Sequence, residues 1–204
     1  MKIKICGLTN AEDVQAAIEA GASYLGFIFH PKSPRYVTPE QAERLTRGID
    51  VPKVGVFVDL PPEKVIAIME QCRLDIAQLH GSESVSDIEK IGPHRVWKAV
   101  QLRTPADIDA AARLPAAAIL ADAVTGNGGL GIRCDWELAA AAASRMKLIL
   151  AGGLNPGNLR EAFDKVRPFA LDLCSGVELE PGKKDHQKLK NHYQDNKKHD
   201  LEFF

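Results

Sequence analysis

The chain is expected to fold as a single α/β domain, a (βα)8 TIM barrel closed by eight parallel strands. Short β-branched or apolar runs alternate with amphipathic helical stretches from one end to the other, and the alternation counts to eight. Length agrees, because 204 residues with 45% apolar side chains can bury one sizeable core and lie near the short limit for such a barrel. An open doubly wound sheet is the competing arrangement, and it leaves the count of eight without a reason.

Lys2 to Cys6 reads as the first strand, turning at Gly7, and Asn10 caps a helix from Ala11 to about Ala20 that ends at Gly21. Tyr24 to Phe29 is the second strand. A loop from His30 to Tyr36 follows, and Thr38-Pro39-Glu40-Gln41 opens the next helix as a capping box with proline in its first turn. Lys53 to Val58, Asp75 to Leu79, Arg95 to Val100 and Ala118 to Asp122 are the third to sixth strands. Their helices begin at Pro61-Pro62-Glu63, near Glu83 and at Thr104-Pro105. Residues 123–133 contain Gly126, Gly128, Gly129 and Gly131 and read as a glycine-rich lid. Asp135 caps a helix to about Arg145, Lys147 to Ala151 is the seventh strand, and a helix is expected from Asn155-Pro156. Phe169 to Cys174 is the eighth strand, and a last helix is expected over Lys184 to Gln194. The barrel is assigned residues 1–195, and the tail 196–204, which has no partner element, is expected to be disordered.

A net charge of −1 with interspersed signs gives no footprint for nucleic acid or an anionic membrane. The first ten residues carry two lysines and no apolar segment, and no apolar run reaches eighteen residues. The expectation is therefore a cytoplasmic protein with neither signal peptide nor membrane span. Cys6, Cys72, Cys134 and Cys174 lack CxxC spacing, so neither a zinc ribbon nor a disulfide framework is expected, and the thiols are read as reduced.

Alternation along the strands groups Lys4 with Cys6, Gln78 with His80, Lys98 with Val100, Leu120 with Asp122 and Asp172 with Cys174. Polar groups thus collect at the carboxyl ends of several strands, where barrel enzymes keep their chemistry. In a closed barrel the first and eighth strands are neighbours, so Lys4 and Asp172 are expected to pair, either as a structural ion pair or as part of the chemistry. Gly152-Gly153 after the seventh strand and Ser175-Gly176 after the eighth are placed to present backbone N–H groups to a phosphate, although tight turns alone also call for glycine.

Asp122 ends a strand before the glycine-rich lid, as a general acid or base would, or as a carboxylate capping nearby N–H groups. Cys6 is a candidate base against the alternative of an inert buried thiol. An ordinary thiol is only ~3% ionised at pH 7, a handicap of ~2 kcal/mol that modest activation removes. Arg35 is set between proline-constrained segments to clamp a carboxylate, or else is a solvated surface arginine. His80 is placed to orient a ligand or to satisfy a backbone group.

Taken together, these motifs resemble the phosphoribosylanthranilate isomerases of tryptophan biosynthesis. The matching stretches are Lys4-Ile5-Cys6-Gly7-Leu8-Thr9, Pro31-Lys32-Ser33-Pro34-Arg35-Tyr36, Val54-Gly55-Val56-Phe57-Val58, Gln78-Leu79-His80-Gly81, Gly152-Gly153-Leu154-Asn155-Pro156 and Asp172-Leu173-Cys174-Ser175-Gly176-Val177-Glu178. The resemblance implies a barrel without cofactor that carries out an Amadori rearrangement of a phosphoribosyl anthranilate substrate; no metal is expected, and the sequence leaves monomer and homodimer both open. It implies Asp122 as general acid and Cys6 as general base, Arg35 on the anthranilate carboxylate, and Gly153, Ser175 and Gly176 on the phosphate. Leu130, Cys134 and Cys174 depart from the residues usual in the family, the first two in the lid and the third beside the site. Another phosphosugar isomerase on the same barrel, or a non-catalytic phosphosugar-binding barrel, are the competing readings. Cys6 and Cys174 are expected at the same end of adjacent strands, within disulfide reach, while a reducing cytoplasm argues against a bond between them.

Overall fold

The computed structural model describes residues 1–122 and 135–190. Eight parallel strands close in sequence order: β1 (Ile3–Ile5), β2 (Tyr24–Ile28), β3 (Lys53–Phe57), β4 (Ile76–Leu79), β5 (Val96–Gln101), β6 (Ala118–Asp122), β7 (Leu148–Leu150) and β8 (Ala170–Leu173). The last strand pairs back onto the first with Lys4 opposite Asp172, which rules out the open sheet. Helices α1 (Ala11–Glu19), α2 (Pro39–Thr46), α3 (Pro62–Gln71), α4 (Val85–Ile91), α5 (Pro105–Ala111), α6 (Trp136–Ala143) and α7 (Leu159–Val166) connect them.

The helix starts follow local chemistry. Asn10 accepts from the Asp13 N–H, Thr38 and Gln41 form the expected capping box, and Asp135 accepts from the N–H groups of Glu137 and Leu138.

Three expectations are corrected. Helix α7 starts at Leu159, because Asn155 and Asn158 turn the preceding residues on themselves: Asn155 Oδ1 accepts from Gly157 N and Asn158 Oδ1 from Asn155 N. Lys184 is not helical. Glu178–Glu180 (β9) and Lys183–Lys184 (β10) form an antiparallel hairpin, held when Lys184 N donates to Asp13 Oδ2 at 2.8 Å, and helical structure begins at 186. The rest of that predicted helix, the tail 196–204 and the lid with Leu130 and Cys134 lie outside the described residues. The third correction concerns Lys98, which faces away from the barrel interior. It stands opposite Leu79, whose side chain packs outward, whereas Trp97 stands opposite the inward Gln78. Its ammonium is buried against Glu83 and the carbonyls of Leu79 and Gly81.

The barrel interior is filled by Val54, Trp97, Leu120, Ile149 and Ala170, with Tyr24 edge-on to Trp97 at 4.9 Å. A larger apolar layer, including Ile3, Phe27, Phe57, Leu79 and Leu171, lies between strands and helices. The interior apolar plug leaves the polar inward positions of β1, β4, β6 and β8 to form the upper layer.

Candidate active site

On the inner face of β1, Lys4 and Cys6 project one above the other, since side chains two apart share a face. The opposing β2 backbone carries Gly26, where a Cβ would lie 2.9 Å from Cys6 Sγ and 3.0 Å from Lys4 Cε. Only a glycine there admits both side chains. Lys4 Nζ donates to both oxygens of Asp172, at 2.9 and 2.8 Å, and also reaches Cys6. Burial works against the Lys4 charge, but Asp172 and Cys6 outweigh it, so the ammonium is held charged. Burial pushes the Asp172 carboxyl up to about 6 even though Lys4 pulls the other way. The predicted pair therefore exists as a fully hydrogen-bonded buried ion pair.

Cys6 is 5% exposed, and its own N–H donates to Leu173 O. The hydrogen bond from Cys174 holds its thiol well below the ordinary range, against the upward push of burial and with help from the charges of Lys4 and Lys184. The Cys174 thiol is correspondingly pushed up. Cys6, Cys72 and Cys174 are free, so the two neighbouring thiols are not bonded to each other.

Arg35 does clamp a carboxylate, that of Glu178. Its Nε donates to Oε1 at 2.9 Å and Nη2 to Oε2 at 2.7 Å, and Lys184 Nζ adds 2.8 Å to Oε1. Burial works against the Glu178 charge, yet Arg35 and Lys184 prevail and hold its carboxyl below the usual range. The solvated alternative for Arg35 is thereby excluded, and its Nη1 makes no hydrogen bond among the described residues.

Further round the mouth, Asp122 ends β6 and its Oδ2 lies 3.3 Å from His80 Nε2 at the end of β4. Gln78, two residues earlier, places Nε2 3.3 Å from His80 Nδ1. Between β6 and β1 stand β7 and β8, with the loops Gly152-Gly153 and Ser175-Gly176 at their ends. Gly152 and Gly153 have φ of 85° and 65°. A Cβ on Gly176 would overlap the Leu154 carbonyl oxygen, so the two loops touch only because that residue has no side chain. Among the described residues, the N–H groups of Gly153, Ser175 and Gly176 donate to no protein acceptor. These unused donors stand in adjoining loops at the ends of β7 and β8, between the strands that carry the thiol and the carboxylate.

All nine candidates thus gather at one end of the barrel: Cys6, Arg35, His80, Asp122, Gly152, Gly153, Asp172, Ser175 and Gly176. Asp172 stands lowest, its two oxygens on Lys4. The sequence reading missed the roles of Glu178 and Lys184. Glu178 closes a matching motif, but the hairpin that folds Lys184 back onto it carries no local signal beyond Pro181-Gly182.

An eight-stranded parallel barrel with amide donors after its seventh and eighth strands, flanked by a lowered thiol and a carboxylate, is laid out as a proton-transfer enzyme for a phosphorylated small molecule. The family model described as N-(5'-phosphoribosyl)anthranilate (PRA) isomerase matches residues 3–195. A curated N-(5'-phosphoribosyl)anthranilate isomerase from Geobacter sulfurreducens is 44% identical over 189 residues, covering 91% of this chain and 93% of its own. A solved structure described as mutually generated monomers of the dimeric isomerase from Thermotoga maritima superposes with a TM-score of 0.87 at 42% identity, covering 97% of this chain and 99% of that one. Another, solved in complex with reduced 1-(o-carboxyphenylamino)-1-deoxyribulose 5-phosphate, gives 0.86 at 40% identity with the same coverage. The chain belongs to the N-(5'-phosphoribosyl)anthranilate isomerase family.

Proposed function

We propose that the chain converts N-(5'-phosphoribosyl)anthranilate to 1-(2-carboxyphenylamino)-1-deoxyribulose 5-phosphate, a step of tryptophan biosynthesis, with Asp122 as general acid and Cys6 as general base. One observation carries these roles: the lowered thiol and the carboxylate stand on either side of two adjoining loops with unused N–H donors. The phosphate is received by Gly153, Ser175 and Gly176, with Gly152 setting the turn, and this fixes the sugar between β6 and β1. Arg35, held rigid by Glu178, offers Nη1 to the anthranilate carboxylate. Asp172 acts through Lys4, which it keeps against Cys6.

Asp122 gives a proton to the ribose ring oxygen as the bond from that oxygen to C1 breaks, and the nitrogen lone pair forms a Schiff base. The Cys6 thiolate then removes the C2 proton. The C–H electron pair becomes the C1–C2 double bond, and the C–N π pair returns to nitrogen, giving an enolamine. Loss of the enol proton and protonation at C1 yield the ketone. Atoms and electrons balance within the substrate, so the rearrangement requires no redox cofactor, and no bond forms to sulfur.

The reading places one catalytic unit over residues 1–195, bracketing the family match. It also places the enzyme in a reducing cytoplasm, which suits adjacent free thiols. The assembly is read as a monomer or homodimer, the Thermotoga maritima relative being described as dimeric.

The test is loss of anthranilate fluorescence as freshly formed substrate turns over, with a plain pentose phosphate as control. Cys6→Ser and Asp122→Asn are each expected to lower kcat by ~10²–10⁴ while binding of a phosphate-bearing ligand survives. Near-normal turnover in either variant removes that residue's role, and no turnover by the parent protein removes the function.

A further inference from the structure

We propose that Gln78 is a positioning residue that fixes the tautomer of His80, so that His80 is a donor to Asp122 and cannot take up that acid's proton. This rests on the assignment of Asp122 as general acid, and it adds Gln78, which stands two residues before His80 on the same strand face.

The geometry begins with the alternation of β4, which puts Gln78 and His80 on the same inward face. Gln78 is 2% exposed, and its amide nitrogen lies 3.3 Å from His80 Nδ1. An amide N–H2 group can only donate, so Nδ1 must be the lone-pair nitrogen and the ring hydrogen must sit on Nε2. Nε2 is the nitrogen 3.3 Å from Asp122 Oδ2. The ring hydrogen therefore sits on the nitrogen that faces Asp122.

The opposite orientation of the amide is the less favourable one. Gln78 Oε1 is buried with no hydrogen-bond partner. Turning the amide over would satisfy that oxygen from an Nδ1–H, but would leave the NH2 group buried without an acceptor. Orphaned buried N–H groups are rarer than under-satisfied carbonyl oxygens. The present orientation leaves the cheaper of the two groups unpaired.

The consequence is chemical. A histidine whose Nε2 is a lone pair would compete with the substrate for the Asp122 proton, and a proton transferred there would be lost to the ring-opening step. With hydrogen already on Nε2, that route is closed. The imidazole instead presents a hydrogen to Oδ2 across 3.3 Å, and the acid's proton stays with Asp122 for its ligand. A wrong tautomer in a comparable acid–base chain costs up to ~10⁴ in turnover.

The experiment uses the full-length protein with 15N-labelled histidine, His80 being assigned by its absence from the spectrum of a His80→Asn variant. The parent is expected to show hydrogen on Nε2 and a bare Nδ1. Gln78→Glu offers only acceptors, and is expected to move the hydrogen to Nδ1 and to lower kcat at least about tenfold, with KM changed by less than about threefold. Gln78→Met keeps the volume, removes the polar group and covers the case in which a buried carboxylate prevents folding. It is expected to give a mixed-tautomer spectrum and a severalfold lower kcat. A parent spectrum with hydrogen on Nδ1 overturns the proposal, as does a Gln78→Met protein with unchanged tautomer or unchanged kcat. A parent protein that shows the Nε2–H tautomer but no turnover counts against the assigned reaction, not against the tautomer.

Discussion

Replacing Lys4 with methionine tests whether the buried pair at the seam of the barrel supports the fold by charge or by volume. Methionine retains most of the side chain and leaves Asp172, only 8% exposed, without the ammonium that contacts both its oxygens at 2.8 and 2.9 Å. Removing one partner of such a pair costs roughly 3–5 kcal/mol, equivalent to a Tm fall of roughly 10 °C in a chain of this size. The loss is predicted to depend on pH. The Asp172 carboxyl stands at about 6 against an ordinary 3.8, so this group's contribution to stability is greatest below the ordinary value and declines as pH rises through about 6. That climb corresponds to about 3 kcal/mol. Without Lys4 the carboxyl moves further up and the decline continues above pH 6. The gap between parent and Lys4→Met, followed by urea denaturation, should therefore be widest above pH 6 and close towards pH 4, where the carboxyl is neutral in both proteins. Lys4→Met combined with Asp172→Leu should recover most of the loss, since nothing charged remains buried. A gap that is constant from pH 4 to 8, or a double variant no more stable than the single one, would refute the reasoning.

Two further outcomes follow from the same layer. Cys174→Ala removes the donor that does most to lower the Cys6 thiol. With Cys6 as the proposed base, activity falls as the thiolate is protonated, so the acid limb of kcat/KM should move to higher pH in Cys174→Ala and stay near its parental position in Cys174→Ser, which keeps a donor. Gly176→Ala forces the β8 loop away from the Leu154 carbonyl, and should raise KM at least about tenfold with a smaller change in kcat, read by steady-state kinetics and by calorimetry with a phosphate-bearing inhibitor.

The barrel was legible because its signals are local and repeated. Ala118–Asp122 has the predicted limits, and α2, α3 and α5 start at the prolines that mark them, whereas Pro156 starts none. The Lys4–Asp172 pair was legible for a different reason: strand alternation plus closure leaves no other neighbour for it. The direction of β5 was not legible, because alternation gives two faces without saying which is inward, and a buried lysine satisfied by carbonyls can sit on either. Nor was the Arg35–Glu178–Lys184 cluster, which joins residues 143 apart through a two-residue strand that no periodicity marks. In the site, residue types at strand ends picked out groups that the fold gathers at one mouth, while the approach of Gln78 to His80 Nδ1 depends on side-chain placement that alternation does not give.

The groups that prepare Cys6 are far apart in sequence. Lys4 is two residues away, but Cys174 and Lys184 lie beyond seven further strands, and Lys184 reaches its place through Asp13 of α1 and the β9–β10 hairpin. During synthesis the thiol therefore emerges well before its activating neighbours. Until β8 and the hairpin dock, it has the reactivity of any cysteine. The nucleophilic character of the sulfur is thus acquired with the completed barrel, and a nascent or partly folded chain carries no activated thiolate to be oxidised or alkylated.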